Sequence, residues 1–102
     1  MNEFKKEEEF MGAKVRILYC PDCGWMLRAT WIAQEILSTF TNELNTITLE
    51  PAKEHPGVFQ VWAGKKMIWC RKSDQGFPQP KELKKRLRDT ICPERGLGHL
   101  DK

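Results

Sequence analysis

Between Lys14 and Phe40 the hydrophobic period of the chain changes once, and a pair of cysteines stands at the change. "KVRILY" (14–19) alternates, with Val15, Ile17 and Tyr19 on one side and Lys14, Arg16 and Leu18 on the other. Period two belongs to a strand with one buried face. After Gly24, Trp25, Ala29, Ile32, Ala33, Ile36 and Phe40 recur at helical spacing and make one apolar stripe. A helix is therefore predicted from about Asp22 to about Asn42, with Pro21 in its first turn, where the missing N–H is harmless. The junction itself reads Tyr19-Cys20-Pro21-Asp22-Cys23-Gly24.

The remaining segments limit what can be built on that strand and helix. "NTITLE" (45–50) alternates again, with Ile47 and Leu49 inward, and Pro51 stops it. Val58–Ala63 and Met67–Arg71 read as two strands about Gly64-Lys65, a two-residue hairpin turn with Gly first. Direct pairing across that turn sets Trp62 against Met67, Val61 against Ile68, Gln60 against Trp69 and Phe59 against Cys70. Phe59, Val61, Ile68 and Cys70 then face inward, while Gln60, Trp62, Met67, Trp69 and Arg71 face away. "KSDQGFPQP" is a turn-rich loop. Helical spacing returns from Lys81 to about Ile91 on Leu83, Leu87 and Ile91, and Pro93 ends it; "ERGLGHLDK" is an irregular tail.

The order β-α-β-β-β-α begins with a unit that wants a right-handed parallel crossover, and the hairpin adds antiparallel strands. Each strand has one mainly apolar face and each helix one stripe. The chain is thus of the α/β class: a thioredoxin-like two-layer sandwich, a four-stranded mixed sheet with both helices on one face. Its 102 residues suffice for one core. Residues 1–12 read as a poorly ordered tail and 13–102 as a single domain.

No stretch reaches the roughly 18 to 20 apolar residues of a membrane span, and "MNEFKKEEEF" has no apolar core of a signal peptide. A cytoplasmic location is the expectation, where stable structural disulfides are rare. Cys20, Cys23, Cys70 and Cys92 are then buried thiols, metal ligands or redox groups. Zinc needs four ligands, and no second closely spaced pair accompanies Cys20 and Cys23; His55 and His99 are isolated. A dithiol at the start of a helix has the N-terminal dipole to favour its thiolate and a first turn that brings the sulfurs together. Asp22 opposes a thiolate on either flank. A redox pair is the favoured reading, with structural thiols and a structural zinc site as alternatives. Cys70 and Cys92 read as inert, Cys70 because its strand position points inward. The net charge of +3 does not argue for nucleic acid, and Lys81, Lys84, Lys85 and Arg88 read as a solvated helix face.

Pro21, Asp22, Arg28, the Gly76-Phe77-Pro78 loop, Trp62 and Trp69 are the candidate contacts for a substrate or partner. Arg28 either lends charge to a thiolate or carboxylate or packs its stem on the surface. Leu27 and Trp31 sit off the core stripe, and packing under the Gly76-Phe77-Pro78 loop is favoured over a partner surface. Leu18, Trp62, Met67 and Trp69 fall on the open face of the sheet. A second copy of the chain, another partner or the N-terminal tail would cover them.

"YCPDCGWMLRA" (19–29), "QEILSTF" (34–40), "GVFQVWAGKKMIW" (57–69), "RKSDQGFP" (71–78), "KELKKRLRDTICP" (81–93) and "LGHLD" (97–101) together resemble the selenoprotein W/T/H-like (Rdx) family, in its bacterial cysteine-containing branch. The resemblance implies a thioredoxin-like fold with a C-x-x-C or C-x-x-Sec redox centre and a thiol or selenol oxidoreductase activity. Relatives carry selenocysteine at the second position of the motif, which here is Cys23, and this implies that Cys23 attacks. Thioredoxin precedent instead makes Cys20 the exposed, attacking thiol, and on exposure Cys20 is favoured.

The expected function is a cytosolic thiol–disulfide oxidoreductase whose catalytic residues are Cys20 and Cys23. No cofactor is tightly bound, and glutathione or another thiol serves as reductant. Its partners are proteins or low-molecular-weight thiols and disulfides, with a homodimer through the open sheet face as a further option; nucleic acid and membrane are not expected. The alternative is a redox-responsive binding module without turnover.

Overall fold

Val15, Ile17 and Tyr19 are buried along one face of β1 (Ala13–Tyr19), as the alternation requires. The structure is a computed structural model that describes residues 12–98. The tail expected at the N-terminus, apart from Gly12, and the chain from His99 onward lie outside the described residues.

Strand β1 is central. On one side it pairs in parallel with β2 (Leu44–Pro51), and on the other antiparallel with β3 (Phe59–Ala63). Strand β4 (Lys66–Cys70) closes the far edge, giving the order β2-β1-β3-β4. Between β1 and β2 runs helix α1 (Met26–Thr39), and α2 (Pro80–Ile91) follows the sheet. Ala29, Ile32, Ala33, Ile36 and Phe40 from the first helical stripe meet Leu83 and Leu87 of α2 against Val15, Ile17, Phe59 and Val61. One core therefore joins both helices to one face of a four-stranded mixed sheet, the thioredoxin-like sandwich expected. Each large aliphatic side chain fully buried there contributes roughly 1.5–3 kcal/mol. On the other face, Arg16 of β1 holds Glu50 of β2 through two hydrogen bonds of 2.7 and 2.9 Å.

The first helix starts later than the period suggests. Gly24 has φ +76°, outside the helical region, and its N–H donates to Pro21 O at 3.1 Å. Residues 21–24 are thus a separate turn, and helical bonding begins from Trp25, whose carbonyl accepts the Ala29 N–H at 3.0 Å. Pro21 belongs to that turn rather than to the helix. The buried stripe is unaffected, because every one of its residues from Ala29 onward lies within or at the end of α1.

The hairpin register also differs from direct pairing. Gly64 has φ +59° while Lys65 keeps a negative φ, so the turn is of type II′, with Gly first. Trp62 pairs with Met67, but Val61 then pairs with Trp69 and Gln60 with Cys70. Ile68 is the extra residue of a β-bulge, which lets two successive side chains, Ile68 and Trp69, enter the core. Strict alternation would bury only one of them. Trp69 is 7% exposed, and its indole N–H donates to Gly76 O at 2.9 Å. Cys70 is turned outward.

Two smaller differences concern the margins of the fold. Leu49, expected inward, is exposed on the edge strand β2, whereas Ile47 packs partly on the core. The chain after α2 is irregular but docked: Leu97 is buried, and Arg95 Nη1 donates to Thr39 O and Glu43 Oε1 at 2.6 and 3.0 Å.

Candidate redox site

Cys20 immediately follows β1 and is held as part of the sheet. Its N–H donates to Val58 O at 2.9 Å, and the preceding carbonyl of Tyr19 accepts the Ala52 N–H at 2.8 Å. The 21–24 turn then carries the chain back, so that Cys23 meets Cys20. The two are joined as a disulfide with their Cα atoms 5.4 Å apart, inside the usual bridging range. The pair is strongly asymmetric: Cys20 is buried, at 2% exposed, and Cys23 is exposed. This reverses the expectation that Cys20 is the more exposed thiol. Its cause is the anchoring of Cys20 at the strand end, against the projection of Cys23 on a turn that Gly24 closes. The dipole argument weakens as well. The helix begins at Met26, three residues beyond Cys23, and the influence of the helix terminus falls off within about a turn.

Behind the turn lies an aromatic platform. Phe77 makes edge contacts with Trp25, at 4.9 Å between centroids, and with Phe59, at 5.3 Å. Arg28 stacks over Phe77 with its guanidinium carbon 3.9 Å from the centroid. Arg71 lies 5.0 Å over Trp25 and donates from Nε to Gly57 O at 3.0 Å. The loop that brings Phe77 here is braced at its base. Asp74 accepts the Cys70 N–H at 2.9 Å and Arg86 Nη1 at 3.0 Å, and Arg86 sits 4.3 Å over Trp69. Gly76 is partly buried, Phe77 packs on the core and Pro78 is buried. Arg28 is exposed and contacts the ring through its guanidinium rather than its stem.

The Gly76-Phe77-Pro78 loop covers Trp25, not Leu27 and Trp31. Both of the latter stay exposed, which corrects the expectation that they pack beneath it. Trp25 and Arg71 are the platform residues that sequence reasoning missed as such. Trp25 reads simply as the first member of the core stripe, and the bulge changes the course of the chain leading to Arg71.

On the open face, Trp62 is partly buried, donating its indole N–H to Gln60 Oε1 at 2.9 Å, and Met67 is exposed. Trp69 is not on this face, in contrast to the direct-pairing expectation. Cys70, expected inward, instead lines a groove of about 430 Å3 with Leu18, His55, Gln60 and Lys72; neither Cys20 nor Cys23 lines it. Hydrogen bonding from the Ser73 backbone pulls the Cys70 thiol below its ordinary range against an opposing effect of burial. Burial and the nearby Glu43 carboxylate push Cys92 up. On α2, Lys84 is ion-paired with Glu35 at 2.8 Å and Arg88 with Asp89 at 2.8 Å, so the basic row is not uniformly solvated. Among the described residues, no cluster of three or more His, Cys, Asp or Glu side chains could hold a metal ion, and no helix is long and apolar enough to cross a membrane.

The sequence model of the Rdx family matches residues 14–89, from β1 through most of α2. The chain belongs to the Rdx family. Two solved structures are similar to it over 78% of the chain. A selenoprotein W-related protein from Vibrio cholerae is 42% identical, with a TM-score of 0.75, covering 78% of this chain and 98% of its own. A protein from Bordetella parapertussis is also 42% identical, with a TM-score of 0.74, covering 78% and 99%. Among the curated proteins there is no match. Family membership and a bridged Cys20–Cys23 pair fit a redox role.

Proposed function

We propose that this Rdx-family chain is a thiol–disulfide oxidoreductase of a reducing, cytoplasmic compartment, with Cys23 as the attacking thiol and Cys20 as the resolving one. The observation that carries the reading is the asymmetry of the bridge, with one sulfur-bearing residue exposed and the other buried. In the dithiol form, the Cys23 thiolate attacks one sulfur of a substrate disulfide. A bond forms between Cys23 Sγ and that sulfur, the substrate S–S bond breaks, and the departing thiolate takes a proton from water. Cys20 then gives up its proton to solvent and attacks Cys23 Sγ, releasing the second substrate thiolate. Two electrons have passed to the substrate, and Cys20–Cys23 is a disulfide. A dithiol protein, or two equivalents of a monothiol such as glutathione, returns them. No tightly bound cofactor is needed. Asp22 and Pro21 on the turn would lie beside the substrate, and Phe77 packs on Trp25, the residue that follows the turn.

Trapping tests the assignment. Reduced Cys20→Ser protein mixed with a peptide disulfide should accumulate a mixed disulfide on Cys23, and Cys23→Ser protein should not. Trapping on Cys20 alone would overturn the order of attack, and trapping in neither variant would overturn the oxidoreductase reading. The exposed apolar surface beside the turn also suits a binding module without turnover. That module would cycle its bridge yet transfer no electrons catalytically with excess reductant.

A further inference from the structure

Leu18 of β1, Gln60 of β3 and Cys70 of β4 are direct partners across adjacent strands. Directly opposed residues share a face, and neighbouring strands lie about 4.8 Å apart, so these side chains form one row on the open face of the sheet, about 10 Å from Cys70 to Leu18. All three are half-buried and line the groove of about 430 Å3, whose other walls include Pro56 and Val58. The middle of the row has a fixed polarity. Gln60 Oε1 accepts the Trp62 indole N–H at 2.9 Å, which leaves the amide NH2 to donate to the neighbouring sulfur. The turn after β4 adds donors from the other side. It is tied to both backbone groups of Cys70, whose N–H donates to Asp74 Oδ2 at 2.9 Å and whose carbonyl accepts the Asp74 N–H at 2.7 Å. From this turn the N–H groups of Ser73 and Lys72 and the Ser73 hydroxyl favour the Cys70 thiolate. The nearby Asp74 charge is met by Arg86 Nη1 at 3.0 Å. A thiol ringed by donors thus stands at one end of an apolar row inside a groove.

We propose that this groove is a second reaction site, where Cys70 adds to a small α,β-unsaturated carbonyl compound whose short apolar tail lies along Leu18 and Val58. The Cys70 sulfur gives an electron pair to the β-carbon of the ligand, forming a C–S bond. The C=C π pair moves toward the carbonyl oxygen as an enolate, and the α-carbon then takes a proton from water. The proton lost earlier from the thiol balances it, so the product is a thioether and nothing is oxidised or reduced. Lys72 and His55 also line the groove and can donate to the oxygen as it gains charge. Thiol oxidation suits the groove less well, because Cys20 and Cys23 do not line it and so cannot resolve an oxidised Cys70, whereas its apolar walls match a carbon chain. The proposal does not depend on the oxidoreductase reading, since the Cys20–Cys23 bridge takes no part in it.

The test uses the full chain with its bridge intact and two probes of equal electrophilicity, N-methylacrylamide and N-hexylacrylamide. Second-order rate constants at Cys70 are measured by mass spectrometry with peptide mapping, and the hexyl-to-methyl ratio is divided by the same ratio for N-acetylcysteine amide. In wild type the corrected ratio should be about ten, the gain from covering on the order of 50 Å2 of apolar surface. In Leu18→Thr, which keeps a β-branched residue in the strand, it should fall to within about twofold of unity. Val58→Thr serves the same purpose if circular dichroism shows that Leu18→Thr is unfolded. Gln60→Leu withdraws a donor from the sulfur but keeps the apolar row, so the rate should fall at least about threefold with both probes while the ratio stays. A wild-type ratio near unity, a tenfold ratio that persists in the threonine variant, or a Cys70 that reacts no faster in wild type than in Gln60→Leu would overturn the proposal.

Discussion

Replacing Trp69 with alanine should lower stability by about 3–4 kcal/mol, a magnitude that follows from the bulge. A tryptophan that is 7% exposed removes almost all of its side chain from water. An aromatic side chain buries on the order of 150–250 Å2, worth roughly 4–6 kcal/mol at ~25 cal/mol/Å2. A compact denatured state reduces that by about a quarter. The edge position of β4 lets the site partly collapse, which places the expectation in the lower half of the usual range for Trp→Ala. Urea unfolding followed by far-ultraviolet circular dichroism measures it, with a slope of about 1 kcal/mol/M for a domain of this size. Trp69→Phe keeps most of the volume but withdraws the N–H from Gly76 O, and about 1 kcal/mol should be lost. That variant keeps the test readable if Trp69→Ala does not fold. Exposed Met67, one residue before the bulge, is the control, and Met67→Ala should lose less than about 1 kcal/mol. Under direct pairing Trp69 would lie beside Met67 on the open face. A loss at Trp69 as small as that at Met67 would therefore refute the bulge and the bracing of the Gly76-Phe77-Pro78 loop that depends on it.

Two further outcomes follow from the titrating groups. With Cys20–Cys23 left bridged, iodoacetamide at neutral pH should label Cys70 at least about threefold faster than Cys92, because the Ser73 backbone favours the Cys70 thiolate whereas burial and Glu43 disfavour that of Cys92; peptide mapping that finds the reverse order contradicts this. The hydrogen bonds from Arg16 hold the Glu50 carboxyl below its usual range. A depressed folded-state value means that the stabilisation is present above the unfolded carboxylate pKa of about 4.3 and is lost as pH falls through the folded value. Urea midpoints at pH 6 and pH 3 should differ less in Glu50→Gln than in wild type. The pair is exposed, so the change should be small, and an equal difference in both proteins would show that the pair does not stabilise the sheet.

The architecture is legible in the sequence because its periods are clean. Val15, Ile17 and Tyr19 cannot all be buried except on a strand, and Ala29, Ile32, Ala33 and Ile36 cannot share a face except on a helix. The errors fall where one residue changes local geometry without changing the pattern. Gly24 carries no side chain to interrupt the apolar stripe, yet its positive φ moves the helix start past the cysteine pair. At Ile68 and Trp69 the sequence offers two successive apolar residues, and a regular ladder must expose one of them. The gain from burying both outweighs the irregular pairing, and everything beyond the bulge changes face. The Cys20–Cys23 pair is readable from spacing, but its asymmetry is not. That asymmetry depends on Val58, thirty-eight residues away, whose carbonyl anchors Cys20.

The same asymmetry gives the chemistry a direction. A buried thiol cannot meet a disulfide arriving from solvent, but it can meet a sulfur already bonded to Cys23, whose Cα lies 5.4 Å from its own. Under the proposed function, burial of Cys20 assigns the first step to Cys23 and leaves the second to Cys20. The turn that joins the two residues belongs neither to β1 nor to α1, so opening or closing the bridge needs no change in either element's hydrogen bonds. Cys20 is fixed by the sheet, Cys23 is presented on four residues of turn, and the apolar face of α1 begins directly after them. In the proposed reaction the exposed position, Cys23, is the one through which a substrate would enter.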